Sequence, residues 1–304
     1  MSTAPYREQV SLLLRVLPII GREEAFALKG GTAINLFVRD LPRLSVDIDL
    51  TFLPLVDRVA SLTAIYEALQ RVANLVKRQI PGTTVHPSRR TDAPKLFIGG
   101  RGARVTVEPN VTLRGSVFPA REARTAPAVE AEFEQSVSTR ILSVADLYGG
   151  KLVAALDRQH PRDLFDVKIL LEAEGLTDEI RTAFVIYLAS HSRPIAELLD
   201  PKLKPLDKLF ESQLAGMIRA PVTCRELAAT RDQLIRRLQR DLNPSERAFL
   251  ISLKRGEPQW DLIPVAHMRE MPAIRWKLRN VRQLATRGRQ HEAAIRRLRE
   301  LLKV

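Results

Sequence analysis

The sequence predicts an α+β segment followed by an all-helical one. Residues 46–52 alternate strictly: Val46, Ile48, Leu50 and Phe52 point one way, and Asp47, Asp49 and Thr51 the other. That is the period-2 pattern of a strand with one buried face. Residues 95–98 and 103–113 flank Gly99-Gly100-Arg101-Gly102 as the arms of a hairpin. Beyond about residue 176 the strand signals stop and only helical patterns follow. The expected organisation is a mixed segment over 1–175 and a helical, basic segment over 176–304.

The elements follow in order. Residues 9–20 are rich in apolar side chains and read as a helix stopped by Pro18 and Gly21. Residues 25–29 read as a short strand and 32–39 as a short helix, with the Gly30-Gly31 turn between them. Residues 57–80 place Val59, Leu62, Ile65, Leu69, Val72 and Val76 at helical spacing. The Ala-, Pro- and charge-rich stretch 114–134 reads as loop. Ser143 and Asp146 form a helix-start box for 144–158, and Pro161 opens another helix through 174. Residues 177–191, 224–240, 244–254 and 283–303 read as further helices; Asn243, Pro244 and Glu246 supply the start of the third.

Composition bounds the function classes. A chain of 304 residues that is 45% hydrophobic can bury a core. Its one cysteine, Cys224, excludes an internal disulfide framework and a thiolate zinc cluster, and the five histidines show no ligand spacing. No secretory leader pattern and no membrane-length apolar run is visible, so a soluble cytoplasmic protein is expected. The formal net charge of +13 points to a polyanionic partner, nucleic acid before acidic protein. From Arg269 to Val304, eleven Lys/Arg stand against three Asp/Glu, which is +8 of that excess.

The chemistry concentrates near the start. Lys29-Gly30-Gly31-Thr32 precedes a helix, and Arg43-Leu44-Ser45-Val46-Asp47-Ile48-Asp49 enters the alternating strand. Aspartates at i and i+2 share one strand face about 6.5–7 Å apart. Their carboxylates can converge on one hard cation or bridge two, and magnesium commonly takes one or two carboxylates together with phosphate oxygens. Gly30 and Gly31 let backbone approach a phosphate, and the helix start at Thr32 offers free N–H groups to an anion. Ser45 shares the aspartates' side, where phosphorylation would set a charge of about −2 beside them. Glu108, on the second hairpin strand, is a candidate third carboxylate. On the residues alone, Asp47 and Asp49 equally fit an exposed strand face, Lys151 a surface lysine, and Asp163 and Asp166 a solvated helix face.

Residues 28–33 with 43–50 resemble the AbiEii/AbiGii (MenT-like) toxin family of the nucleotidyltransferase superfamily of DNA polymerase β. Asp146-Leu147-Tyr148-Gly149-Gly150-Lys151-Leu152 resembles that family's Lys motif, and Arg162-Asp163-Leu164-Phe165-Asp166 its downstream Arg-Asp-x-x-Asp motif. Pro272-Ala273-Ile274-Arg275-Trp276-Lys277-Leu278-Arg279-Asn280 is a softer match near the C-terminal helices. The resemblance implies a polymerase-β-like nucleotidyltransferase domain with a mixed sheet, followed by a helical domain. It implies metal-binding roles for Asp47 and Asp49, with Glu108 as the further candidate ligand. Lys151 would pair with triphosphate oxygens, and Asp166 would be the downstream catalytic aspartate. Asp163 is not separable from Asp166 at this stage. Gly30, Gly31, Thr32, Ser45, Lys151 and Asp163 would contact the nucleotide. Gly31 stands where the family also uses serine, so Thr32 is the nearby source of a hydroxyl. Mg²⁺ (or Mn²⁺), an NTP, an RNA acceptor such as the tRNA 3′ end, and a cognate antitoxin protein are the implied cofactor, substrates and partner. The expected function is a type IV-like toxin that blocks translation by modifying RNA. Nucleotidyl transfer to a small molecule or a protein, and a non-catalytic RNA- or protein-binding role, are the alternatives.

Overall fold

The computed structural model describes residues 4–90, 92–286 and 288–304. The chain divides into two compact units, Met1–Leu147 with Glu211–Pro221, and Tyr148–Phe210 with Val222–Val304.

The first unit is built on a sheet. Helix α1 (Ala4–Ile20) ends at the expected Ile20, before Gly21, with Pro18 within its last turn, and starts earlier than expected. Strand β1 (Phe26–Lys29) runs directly into α2 (Gly30–Ala33), which continues as one π-helical stretch, Ile34–Val38. Then come β2 (Asp47–Phe52) and α3 (Arg58–Gln79), whose N-cap Asp57 accepts a hydrogen bond from the Ala60 N–H (3.0 Å). Strands β3 (Thr84–Pro87), β4 (Leu96–Gly100) and β5 (Ala103–Asn110) follow, the last two forming the expected hairpin. The stretch expected as loop over 114–134 contains strand β6 (Arg121–Arg124) and helix α4 (Pro127–Phe133). The helix is fastened by Glu130, whose carboxyl is held down to about 2 by Arg124, Ser136 and Thr125. Strand β7 (Ser138–Ile141) precedes α5 (Val144–Arg158).

The seven strands make one mixed sheet in the order β3-β4-β5-β2-β1-β7-β6. Strand β2 lies near its middle, antiparallel to β1 and parallel to β5. Ile48, Leu50 and Phe52 are buried, each contributing about 1.5–3 kcal/mol by leaving water.

The second unit is helical. It holds most of α5, then α6 (Pro161–Glu172), α7 (Asp178–Ser190), α8 (Ile195–Leu199) and the start of α9 (Asp207–Gln213). Helices α10 (Cys224–Asp241) and α11 (Pro244–Arg255) both start on complete capping boxes, Thr223 with Glu226 and Asn243 with Glu246. The stretch expected as one helix over 283–303 is two: α12 (Pro272–Ala285) and α13 (Arg289–Leu302), parted at Gly288.

The division between the units falls inside α5, not at the expected 175/176. Helix α6 packs on α10, and α5 meets α7 so closely that a Cβ on Gly149 would lie 2.8 Å from the Ala183 backbone. Both contacts draw α5 and α6 into the helical unit. Residues 211–221 return to the sheet unit because the Leu44 N–H donates to Met217 O (2.8 Å) and the Arg219 N–H to Pro42 O (3.1 Å).

Candidate functional site

In the sheet unit, register assembles the acidic face. Asp49 stands opposite Lys29 of β1 and beside Glu108 of β5, while Asp47 stands beside Thr106. Register partners share a face. Asp47 is exposed and Asp49 half-buried, so access to the i,i+2 pair falls along the polar side of the strand, where Thr51 is already buried. Glu108 is the neighbour of Asp49, but its carboxylate is engaged by the Lys95 ammonium at 2.6 Å. Like charges adjacent in a sheet repel, and Lys95 offsets that. Among the described residues no three His, Cys, Asp or Glu side chains are arranged to hold a metal. A hard divalent cation commonly takes one or two carboxylates, the rest water or phosphate oxygens, and Asp47 and Asp49 are the two carboxylates that β2 places on one face.

The glycine turn serves this face at close range. Gly30 has φ +71°, and a Cβ there would fall on the Asp49 carboxylate. A Cβ on Gly31 would lie 2.5 Å from Arg43 Nη2 and 3.0 Å from Ser45 Oγ. The two glycines thus make room for the site's own side chains. Lys29, the N-cap of α2, places no side-chain cap on the first helical amides.

Thr32 and Ser45 occupy different positions from those expected. Thr32 is 1% exposed, and its hydroxyl donates to the Asp47 backbone carbonyl (2.5 Å) with Ser45 Oγ 3.0 Å away. The hydroxyl expected to meet phosphate is committed to fixing the start of β2. Ser45 is also buried, so it presents no hydroxyl for phosphorylation in this fold. Sequence reasoning gave no role to Arg43, the largest fully buried side chain. It donates to Leu44 O (2.9 Å) and supports the turn under Gly31. Its signal was the Arg-x-Ser-x-Asp-x-Asp spacing itself.

In the helical unit, Lys151, Asp163 and Asp166 do come together. The Lys151 ammonium lies 2.8 Å from Asp163 Oδ1 and 3.0 Å from Asp166 Oδ2, and Arg158 Nη2 lies 2.8 Å from Asp163 Oδ2. Neither a surface lysine nor a solvated helix face describes them. Lys151 is 7% exposed, Asp163 3% and Asp166 0%. Burial pushes the Asp163 carboxyl up, but the Lys151 and Arg158 cations outweigh it and hold the group below its ordinary value. Two carboxylates and two cations make a cluster with no formal excess charge. Arg158 is the member the sequence did not single out. Asp146, from the same motif, accepts from the Val117 and Phe118 N–H groups (2.7 and 2.9 Å), fastening a loop of the sheet unit.

A mixed sheet whose central strand presents two aspartates beside a glycine-started helix accords with the nucleotidyltransferase domain that the resemblance implied. A family model described as nucleotidyl transferase AbiEii toxin, type IV toxin–antitoxin system, matches residues 11–280. The chain belongs to that family of nucleotidyltransferase toxins. Among solved structures it is similar to MenT4, a nucleotidyltransferase toxin from Mycobacterium tuberculosis H37Rv, at a TM-score of 0.63 and 15% identity, over 92% of this chain and 95% of that one. A second similarity is to terminal uridylyl transferase 4 from Trypanosoma brucei with bound UPU, at 12% identity over 95% and 93% of the two chains. Its TM-score of 0.29 supports no argument. Comparison with curated protein sequences gives no match. Among the described residues no helix is long and apolar enough to cross a membrane.

Proposed function

We propose that this toxin transfers a nucleotidyl group from an NTP to RNA in the cytoplasm, with the tRNA 3′ end as acceptor, and so blocks translation. The observation that carries the proposal is the Asp47/Asp49 pair on one face of β2 beside the Gly30-Gly31 turn. Asp47 and Asp49 would hold Mg²⁺ or Mn²⁺, which supplies charge neutralisation at the triphosphate. The chain's own residues do the positioning. Thr32 and Arg43 fix the backbone from which the aspartates project, and the uncapped first amides of α2 offer donors to phosphate oxygens. The triphosphate role that the resemblance implies for Lys151 is kept as part of the proposal; within the helical unit its ammonium is held by Asp163 and Asp166, which would orient it rather than act as bases. An RNA acceptor accords with the +13 charge and with the +8 carried after residue 268. A cognate antitoxin protein is the proposed partner.

The test is incubation with each α-labelled NTP, magnesium and total cellular RNA. Label entering tRNA-sized RNA with the wild type, and not with Asp49→Ala, supports the proposal. Absence of transfer to any RNA from any of the four nucleotides refutes it.

A further inference from the structure

Nucleotidyl transfer leaves one cavity of the helical unit unused. It measures about 250 Å³ and lies among the start of α8, the end of α11, and helices α12 and α13. Ile195, Ala196, Leu284, Ala294 and Leu298 form its apolar wall. The volume is just below the roughly 300–1,000 Å³ of pockets for drug-sized ligands, so a smaller molecule fits.

Two polar residues of the lining face this apolar wall, and one lacks the partners its burial calls for. His291 is 9% exposed, and both its ring nitrogens are buried with no hydrogen-bond partner. Leaving a buried polar atom unmatched costs about 1–3 kcal/mol. Lys254, half-buried, reaches the same cavity from α11, and burial lowers its pKa. On the rim, Glu197 shares Arg193 (3.3 Å) with Asp157 (2.7 Å), and Arg297 faces Asp200 at 3.6 Å. The Lys254 ammonium stands beside the apolar wall.

We propose that this cavity binds a small monocarboxylate with an apolar body, its carboxylate on the Lys254 ammonium and a His291 ring N–H. The Lys254 ammonium and a His291 ring N–H suffice for one carboxylate, and Glu197 on the same rim, which shares Arg193 with Asp157, repels the second negative charge of a phosphate monoester. The apolar body would lie on Ile195, Leu284 and Leu298.

Calorimetric titration of octanoate into the full chain, without NTP, tests this separately from the nucleotidyltransferase proposal. Octan-1-ol and octyl phosphate serve as comparators. Saturable one-to-one binding of octanoate is expected, with a change in the His291 ring ¹⁵N resonances. Lys254→Met should weaken binding about tenfold or more, whereas Lys254→Arg retains it. Ala294→Phe fills the cavity and should abolish binding with unchanged circular dichroism. Octan-1-ol or octyl phosphate binding as tightly as octanoate overturns the proposal. So does octanoate binding that Lys254→Met leaves unchanged, or binding without saturation.

Discussion

The chain carries two aspartate pairs, and their surroundings are opposite. Asp47 and Asp49 sit two apart on a strand, one exposed and one half-buried. Asp163 and Asp166 sit three apart on a helix, almost wholly buried against Lys151 and Arg158. The strand pair keeps an exposed member, Asp47, on the polar face of β2. The helix pair is closed over its cations. Carboxylates of the same type therefore divide into a pair where the proposal places a cation and a pair that holds a lysine. This difference places the proposed chemistry at the first pair and positioning at the second.

Removing Lys151 tests that division most severely. Lys151→Met would leave two buried carboxylates with Arg158 alone, and breaking a buried pair in this way costs about 3–5 kcal/mol. A large fall in the thermal midpoint is expected. Replacing Asp163 and Asp166 by Asn in the same chain should recover part of it. Asp49→Ala is expected to behave in the opposite manner, losing label transfer by on the order of 10²–10³-fold while the midpoint hardly moves. An Asp49→Ala chain as destabilised as Lys151→Met would erase the contrast between the two pairs.

Why one pair was readable and the other was not follows from periodicity. Strand β2 alternates so strictly that core and polar faces separate on paper, and Asp47 and Asp49 fall on the polar one. On α6, Asp163 and Asp166 occupy the buried stripe with Val167 and Leu170, positions that hydropathy assigns to solvent. Their burial depends on the Lys151 ammonium, twelve residues upstream of Asp163, which no single-helix pattern reveals. Strands β3 and β6, four residues each, lie at the two edges of the sheet, and β6 sits in an Ala- and Pro-rich stretch that looks like loop. The sheet order itself, and the return of 211–221 to the first unit, rest on pairings distant in sequence.

Two adjacent glycines in the Lys motif sharpen the positioning role on a smaller scale. Gly149→Ala would press a methyl into the Ala183 backbone and should cost about 1–3 kcal/mol by overpacking. Gly150 faces open space, so Gly150→Ala should stabilise α5 by roughly 0.5–1 kcal/mol. Denaturant midpoints of the two variants should move in opposite directions. The buried cluster also fixes a pH dependence. The folded Asp163 carboxyl has a pKa below its unfolded value of 3.8. Between those values the unfolded chain binds a proton that the folded chain does not. The cluster's contribution is thus complete above the unfolded value and is lost as pH falls through the depressed one. The stability gap between wild type and Asp163→Asn should narrow below about pH 4 and stay constant from there to neutrality.

The smallest expected effect on stability bears on whether the strand pair works alone. Lys95 and Glu108 form an ion pair that is about one-third to one-half exposed (32% and 46%). Such pairs contribute about 0–1 kcal/mol, so Lys95→Ala should leave the thermal midpoint nearly unchanged. It also releases the carboxylate adjacent to Asp49 in the sheet. If Asp47 and Asp49 suffice for the divalent cation, the magnesium dependence of label transfer is the same in Lys95→Ala as in the wild type. If Glu108 completes the site, the variant reaches full activity at lower magnesium, and Glu108→Gln removes that gain. The ammonium of Lys95 would then be the competitor that keeps a third carboxylate out of the metal's reach until the triphosphate arrives.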